Sequence, residues 1–233
     1  MPTKIEQLAQ LTKNLGGMFK EFNQSYAQIK SARVVQGLFT SDKGNLDSNN
    51  TELYVGGMCH TMSMYWVVGQ SGGISGKKTF LEWVMPSGDK NSVNMGAVSV
   101  LVTKTVMYKA KGSKAQSMGI GKDAHFDDSF FLLNGIKSKN EHRTGFDGIK
   151  REIGRKRDRL FMISYGSGTG GHACAAQSTS EGGYSYFDPN YGQVILIKRD
   201  AWDEWYDQYL VISGYSTKYN RQSVEGYKAI RHS

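Results

Sequence analysis

Cysteine and proline are scarce in this chain, with two cysteines and three prolines among 233 residues. Two thiols cannot make the framework of a disulfide-rich secreted domain, and neither Cys59 nor Cys174 sits in a context that looks like a staple, so both are expected to be reduced. Long apolar runs are missing as well: the longest, such as Ala97-Val98-Ser99-Val100-Leu101-Val102, fall far short of the roughly 18 to 20 residues of a transmembrane helix. The opening Met1-Pro2-Thr3-Lys4-Ile5-Glu6-Gln7 has no continuous apolar segment and no small-residue cleavage site. No Sec-type signal peptide is therefore expected, and synthesis in a cytoplasm is. Neither low-complexity tracts nor internal repeats occur. Metal-ligand spacing is also lacking, since the two cysteines lie far apart and His60, His125, His142 and His232 are scattered; neither a metal nor another cofactor is expected.

What is present suffices for a sizeable core. Hydrophobic residues at 39%, aromatics at 12% and 28 glycines point to one folded domain over 1–233, with a helical N-terminal extension and loop at 1–48, a core at 49–200 and a C-terminal helix and strand at 201–233. A monomer is expected. The net charge of +8 is concentrated in Lys137, Lys139, His142, Arg143, Lys150, Arg151, Arg155, Lys156, Arg157 and Arg159. Of these, Lys150, Arg151, Arg155, Lys156 and Arg157 are the candidate contact with an anionic membrane or an acidic partner. A solvated face is the plainer reading. No aromatic platform is interleaved with the charges, so nucleic acid is not expected as a partner.

Periodicity divides the chain in two. Ile5, Leu8, Leu11, Leu15, Met18, Phe22, Tyr26 and Ile29 recur at spacings of three and four, predicting helix over 5–31 with a kink or break at Gly16-Gly17. Polar turn-formers fill 41–50. A helix is predicted from Cys59, a short element at 78–85 stopped by Pro86, and an apolar stretch at 93–108 whose first half leans to helix; 109–128 reads as an exposed loop. From Leu160 the pattern becomes strand-like, with strands at 160–165, 171–177, 183–187 and 193–197, a helix at about 200–211 and a last strand at 226–230. Helices followed by an antiparallel meander make an α+β fold, the nucleophile-bearing helical part packing on a mainly antiparallel sheet.

The chemistry is organised around Gly56-Gly57-Met58-Cys59-His60. Two glycines deliver a thiol to a helix start, where free N–H groups and the positive end of the dipole favour the thiolate. A buried structural cysteine is the alternative. A nucleophilic cysteine needs a base and a group that orients the base. Gly170-Gly171-His172-Ala173 at the start of one strand and Phe187-Asp188-Pro189-Asn190 at the end of the next supply both, Asp188 being expected to accept the Nδ1 proton of His172. The glycines from Gly166 to Gly171 fit G-x-G-x-x-G, but a strand and not a helix follows, which argues against a dinucleotide. His60 is read as structural or solvent-facing, and Cys174 as a small packed residue.

The Gly-Gly-X-Cys loop, the Gly-His-Ala strand and Tyr186-Phe187-Asp188-Pro189-Asn190-Tyr191-Gly192 together resemble the YopT/AvrPphB family of bacterial effector cysteine proteases, which are papain-like. The resemblance spans roughly residues 50 to 200. It implies a papain-like fold, a Cys59-His172-Asp188 triad, and synthesis in a bacterial cytoplasm followed by delivery into a host cell through a dedicated secretion system. It also implies a host protein substrate, relatives acting on small GTPases or kinases. Papain-like enzymes carry an Asn or Gln just before the cysteine as an oxyanion donor; here Glu52, Leu53, Tyr54 and Val55 stand there, leaving Asn50 as the candidate. The same triad would serve an amidase, deamidase or transglutaminase, and a non-catalytic basic module binding membranes is the further alternative.

Overall fold

The computed structural model describes residues 2–27, 58–74, 78–89, 92–117, 124–168 and 170–230. Helix α1 (Lys4–Asn14) starts with a capping box, the Thr3 hydroxyl accepting from Glu6 N while the Glu6 carboxylate accepts from Thr3 N, which satisfies two otherwise orphaned donors. The helix predicted over 5–31 stops there. Gly16 adopts φ +72°, and Gly17 lies so close to the sheet that a Cβ would stand 2.6 Å from the Ile195 carbonyl oxygen. The chain turns into strand β1 (Met18–Glu21). Met18 and Phe22 match the helical spacing without sharing a helix; residues 24–27 are helical again up to the limit of the described segment, and Ile29 falls outside the described residues.

Helix α2 (Met58–Ser71) buries nearly its whole circumference, from Met58, Cys59 and Met62 to Trp66, Val67 and Gly69, the pattern of a helix enclosed on all sides. At Gly69 it touches α3 (Phe80–Val84), where a Cβ would sit 2.8 Å from Phe80 N. Helix α4 (Met95–Ser117) takes in the apolar stretch from Met95 onward and continues through 109–117, where a loop is predicted from the sequence. Its hydroxyl residues do not break it, because Ser99, Thr103 and Thr105 each donate back to the carbonyl four residues earlier. Helix α5 (Ala124–Leu133) claims the end of the same predicted loop.

The basic run conceals two elements, strand β2 (Ile136–Thr144) and helix α6 (Phe146–Arg155), whose apolar positions are few. The predicted meander follows as β3 (Arg159–Ser167), β4 (Gly170–Ser178), β5 (Tyr184–Asp188) and β6 (Gly192–Leu196). Next come α7 (Arg199–Ser213), closed by Gly214 at φ +78°, then α8 (Tyr215–Lys218) and β7 (Arg221–Ala229). The last strand begins five residues before its expected start at Gly226, its first turns being polar.

One antiparallel sheet in the order β1-β6-β5-β4-β3-β7-β2 runs through the molecule. Helices cover both faces. Residues of α2, α3, α4 and α5 pack around Trp66, Phe80 and Phe187 on one side, while α1, α6, α7 and α8 pack around Trp202, Trp205, Tyr165 and Tyr186 on the other. The α+β class is as expected, and the second helical layer is an addition to it. Among the described residues no helix is long and apolar enough to cross a membrane.

Candidate active site

Strands β4 and β5 are antiparallel neighbours, Ala175 facing Phe187, so the exposed end of β4 and the C-terminal end of β5 lie together. His172 Nε2 stands 2.7 Å from Asp188 Oδ1, with the two side chains 4% and 2% exposed. The nitrogen differs from the expected Nδ1. Nε2 is the ring atom farthest from the backbone and reaches across to the carboxylate, which leaves Nδ1 for a second partner. Asp188 is held further by Asn190 N donating to Oδ1 at 2.8 Å and Tyr209 OH donating to Oδ2 at 2.6 Å. Burial pushes the Asp188 carboxyl up, but the charge and hydrogen bond of His172 with the bonds from Tyr209 and Asn190 bring it below its ordinary value.

Cys59 is the second residue of α2 and is buried. Ser63 of the same helix donates to the Ala173 carbonyl at 3.1 Å, pinning the first turns of α2 against the strand that carries His172. Burial raises the Cys59 pKa, yet the hydrogen bond and charge of His172, a backbone bond from Ala173 and the charge of His60 together place it below the ordinary thiol value. His172 moves the opposite way: burial lowers it, and the Asp188 charge leads the effects that set it well above its usual value. Both shifts favour a thiolate facing an imidazolium.

Cys174 is the contrasting thiol. It lies two residues beyond His172, fully buried, its Sγ 3.9 Å from Tyr209 OH. Burial and then the Asp188 charge push it up to about 11, so it stays protonated. His172, Cys174 and Asp188 each place one donor atom within 4.8 Å of the others. They do not make a preformed zinc site: two ligands of a tetrahedral zinc stand about 3.3 Å apart, whereas Nε2 and Oδ1 are already bonded at 2.7 Å.

Several partners of this pair left no mark in the sequence. Asn190 Nδ2 lies 3.5 Å from His172 Nε2 and donates to Tyr215 OH at 2.9 Å, while Asn190 Oδ1 accepts from Gln24 Nε2 at 2.6 Å. The segment carrying Gln24 is laced to the same turn by Phe22 N to Tyr191 O and Gln24 N to Pro189 O. Tyr215 presents its ring edge-on to the imidazole at 5.4 Å. Only the Asp-Pro-Asn turn itself could have hinted at such a hub.

His60, expected to be structural or solvent-facing, places Nε2 3.0 Å from an Asp127 carboxylate oxygen and stacks on Tyr108 at 4.5 Å. With Cys59, Thr105, Tyr108, Ser164, Tyr165, Gly171, His172 and Ala173 it lines a cavity of about 260 Å³. A second cavity of about 660 Å³, bounded by Thr144, Gly166, Asn220, Arg221 and Ser223, adjoins the first at Ser164 and Tyr165. Gly166 and Gly171 pair across the β3–β4 hairpin beside that junction, and no helix follows them.

Asn50 lies outside the described residues, as do Gly56 and Gly57. The basic candidates are largely engaged with other groups. Lys150 bonds Asp207 at 2.8 Å, Lys156 reaches Glu141 at 3.2 Å and Glu152 at 3.7 Å, and Arg157 donates to Tyr184 OH at 2.8 Å. Arg151 and Arg155 are exposed on α6.

A family model described as the Yersinia/Haemophilus virulence surface antigen, Peptidase_C58, matches residues 16–228. Among solved structures, the Pseudomonas avirulence protein AvrPphB superposes with a TM-score of 0.55 at 17% identity, covering 74% of this chain and 92% of that one. At that identity the likeness concerns the fold. A comparison with curated protein sequences gave no match.

Proposed function

The chain belongs to the Peptidase_C58 family and is a cysteine peptidase, and on that premise we propose that Cys59, His172 and Asp188 carry out a papain-like cleavage of a host protein. Cys59 Sγ attacks the scissile carbonyl carbon, forming a C–S bond and a tetrahedral oxyanion. The Cys59 backbone N–H at the start of α2 is one donor to that oxyanion, and Asn50 is proposed as the second. His172 gives its proton to the leaving amine, the C–N bond breaks, and an acyl thioester remains. Water then gives a proton to His172 while attacking the thioester, releasing the acid and restoring the pair. Asp188 keeps the imidazole turned and balances its charge.

The observation that carries this reading is geometric: His172 Nε2 is bonded to Asp188 Oδ1 at 2.7 Å, Ser63 ties the first turns of α2 to the Ala173 carbonyl, and Cys59 and His172 line one cavity, whereas Cys174 is fully buried and lines none of the cavities described. A small GTPase or a kinase is the proposed substrate class, reached after secretion into a host cell. Arg151 and Arg155, exposed on α6, are the proposed contact with an anionic membrane on which such a substrate resides.

Intact-mass measurement after treatment with an epoxide inhibitor of thiol proteases tests the site. One adduct is expected on the native chain and on Cys174→Ala, none on Cys59→Ala, and none when His172 is replaced by Ala. An adduct mapping to Cys174 overturns the assignment. Products from a peptide substrate that gain one mass unit without chain cleavage would replace proteolysis by deamidation on the same triad.

A further inference from the structure

Tyr165, Tyr186, Tyr206 and Tyr209 are fully buried against the face of the sheet covered by α7. Four hydroxyls in such a place are costly unless each finds a partner, and these find one another. Tyr209 OH donates to Asp188 Oδ2 at 2.6 Å, Tyr186 OH donates to Tyr209 OH at 3.2 Å, and Tyr165 OH lies 3.0 Å from the hydroxyls of both Tyr186 and Tyr206. A phenol has a single proton to give. With the Tyr209 proton committed to the carboxylate, its oxygen accepts from Tyr186, whose oxygen accepts from Tyr165, which accepts from Tyr206. Every O–H dipole in the series then points towards Asp188, and hydrogen bonds aligned in this way strengthen one another.

The two carboxylate oxygens are held differently. His172 Nε2 and Asn190 N both act on Oδ1, whereas Tyr209 acts on Oδ2. We propose that Tyr209 is a positioning residue of this site. Through Oδ2 it fixes the aim of Asp188 on His172 and, polarised by Tyr186, Tyr165 and Tyr206, keeps the carboxylate charged where water does not reach it. The proposal rests on the triad reading above. The groups that face Asp188 are His172 and Cys174 from β4, Tyr186 from β5, Tyr209 from α7, Tyr191 from the turn after β5 and Tyr215 from α8, with Cys59 and His60 of α2 beyond the imidazole. Of these, Tyr209 supplies a hydroxyl proton to the carboxylate. Without that donor the Asp188 carboxyl binds a proton more readily; once neutral it no longer supports the imidazolium, and the thiolate loses its counter-charge at a higher pH than before.

The rate of Cys59 alkylation by iodoacetamide, located by mass and followed from acid to alkaline pH, tests this together with kcat and KM on a cleavable peptide. Tyr209→Phe is expected to move the acidic limb about one pH unit towards neutral, the scale of one hydrogen bond to an ionised group, and to lower kcat about tenfold with KM nearly unchanged. Tyr165→Phe should act in the same direction to a smaller extent, and it carries the test if Tyr209→Phe does not fold. Tyr184→Phe removes an equally buried hydroxyl that donates to the Gly154 carbonyl, off the chain, and is expected to leave the limb in place. A wild-type limb in both Tyr209→Phe and Tyr165→Phe overturns the proposal, as does an equal shift in Tyr184→Phe. If Cys59 of the native protein alkylates like an ordinary thiol, with no acidic limb, the triad reading falls and this proposal with it.

Discussion

At the scale of single residues, the opposed shifts of Cys59 and His172 set a pH window. Cys59 titrates below the ordinary thiol value, because its contacts with His172, Ala173 and His60 outweigh the effect of burial. His172 titrates well above about 6.5, because Asp188 outweighs burial in the other direction. The two shifts bring thiol and imidazole towards the order in which a thiolate–imidazolium pair, the proposed active form, spans the range between them. The peptide kcat/KM should therefore rise as Cys59 loses its proton on the acid side and fall as His172 loses its own on the alkaline side. An acidic limb near about 8.5, the value of a free thiol, would contradict the pairing. Stability follows the same groups. Asp188, lowered on folding, contributes above the unfolded carboxylate pKa, and the contribution disappears as pH falls through its folded value. His172, raised on folding, contributes below about 6.5, and loses the contribution as pH climbs through its folded value. Asp188→Asn keeps the shape and removes the charge. It should lower kcat on the order of 10²-fold and bring the alkaline limb down, which a pH–rate profile of the variant measures.

At the scale of elements, the site depends on how β1 docks. Gly192 has φ +129°, and a Cβ there would lie 2.1 Å from the Lys20 carbonyl oxygen. Gly192→Ala should thus cost at least about 2 kcal/mol of stability in denaturant titrations. It should also loosen the segment that brings Gln24 to Asn190, reducing activity beyond the loss of folded protein. The elements that carry the candidate triad were the legible ones. Glycines and the Asp-Pro-Asn turn punctuate β3 to β6, and the spacing of Trp202, Trp205, Tyr206 and Tyr209 marks α7. Legibility failed where local pattern and tertiary setting part company. Met18 and Phe22 sit at helical spacing, yet Gly17 packs on the sheet. In 136–155 the buried Ile136, Ile149 and Ile153 are too sparse to announce a strand and a helix. Tyr209 reads only as a member of an aromatic face and Tyr215 carries no signal at all, since nothing in their own segments tells which hydroxyl meets a carboxylate on another strand. The orientation of His172 was hidden for the same reason.

At the scale of the whole molecule, one sheet separates two helical layers, each with its own aromatic cluster, and the candidate site's cavity is lined by residues of α2 and α4 and of strands β3 and β4. Each layer's cluster includes residues of the sheet itself, Phe187 and Ala175 in one and Tyr186 and Cys174 in the other. Thermal unfolding should accordingly be a single transition, with tryptophan fluorescence and far-ultraviolet circular dichroism coinciding; two separated transitions would show that the layers melt independently. The two margins of that sheet have a bearing on colloidal behaviour. Strand β1 is four residues long and ends in Lys20 and Glu21. Strand β2 carries Lys137, Lys139, His142 and Arg143, and its register against β7 breaks between Ser138 and Glu141. Short length, cations and a bulge are what keep an open strand from recruiting a second molecule. Among the described residues, Lys137 and Lys139 put charge on that margin, and a chain with both changed to Val should sediment faster than the unaltered chain at equal concentration, by a margin that grows as the concentration is raised.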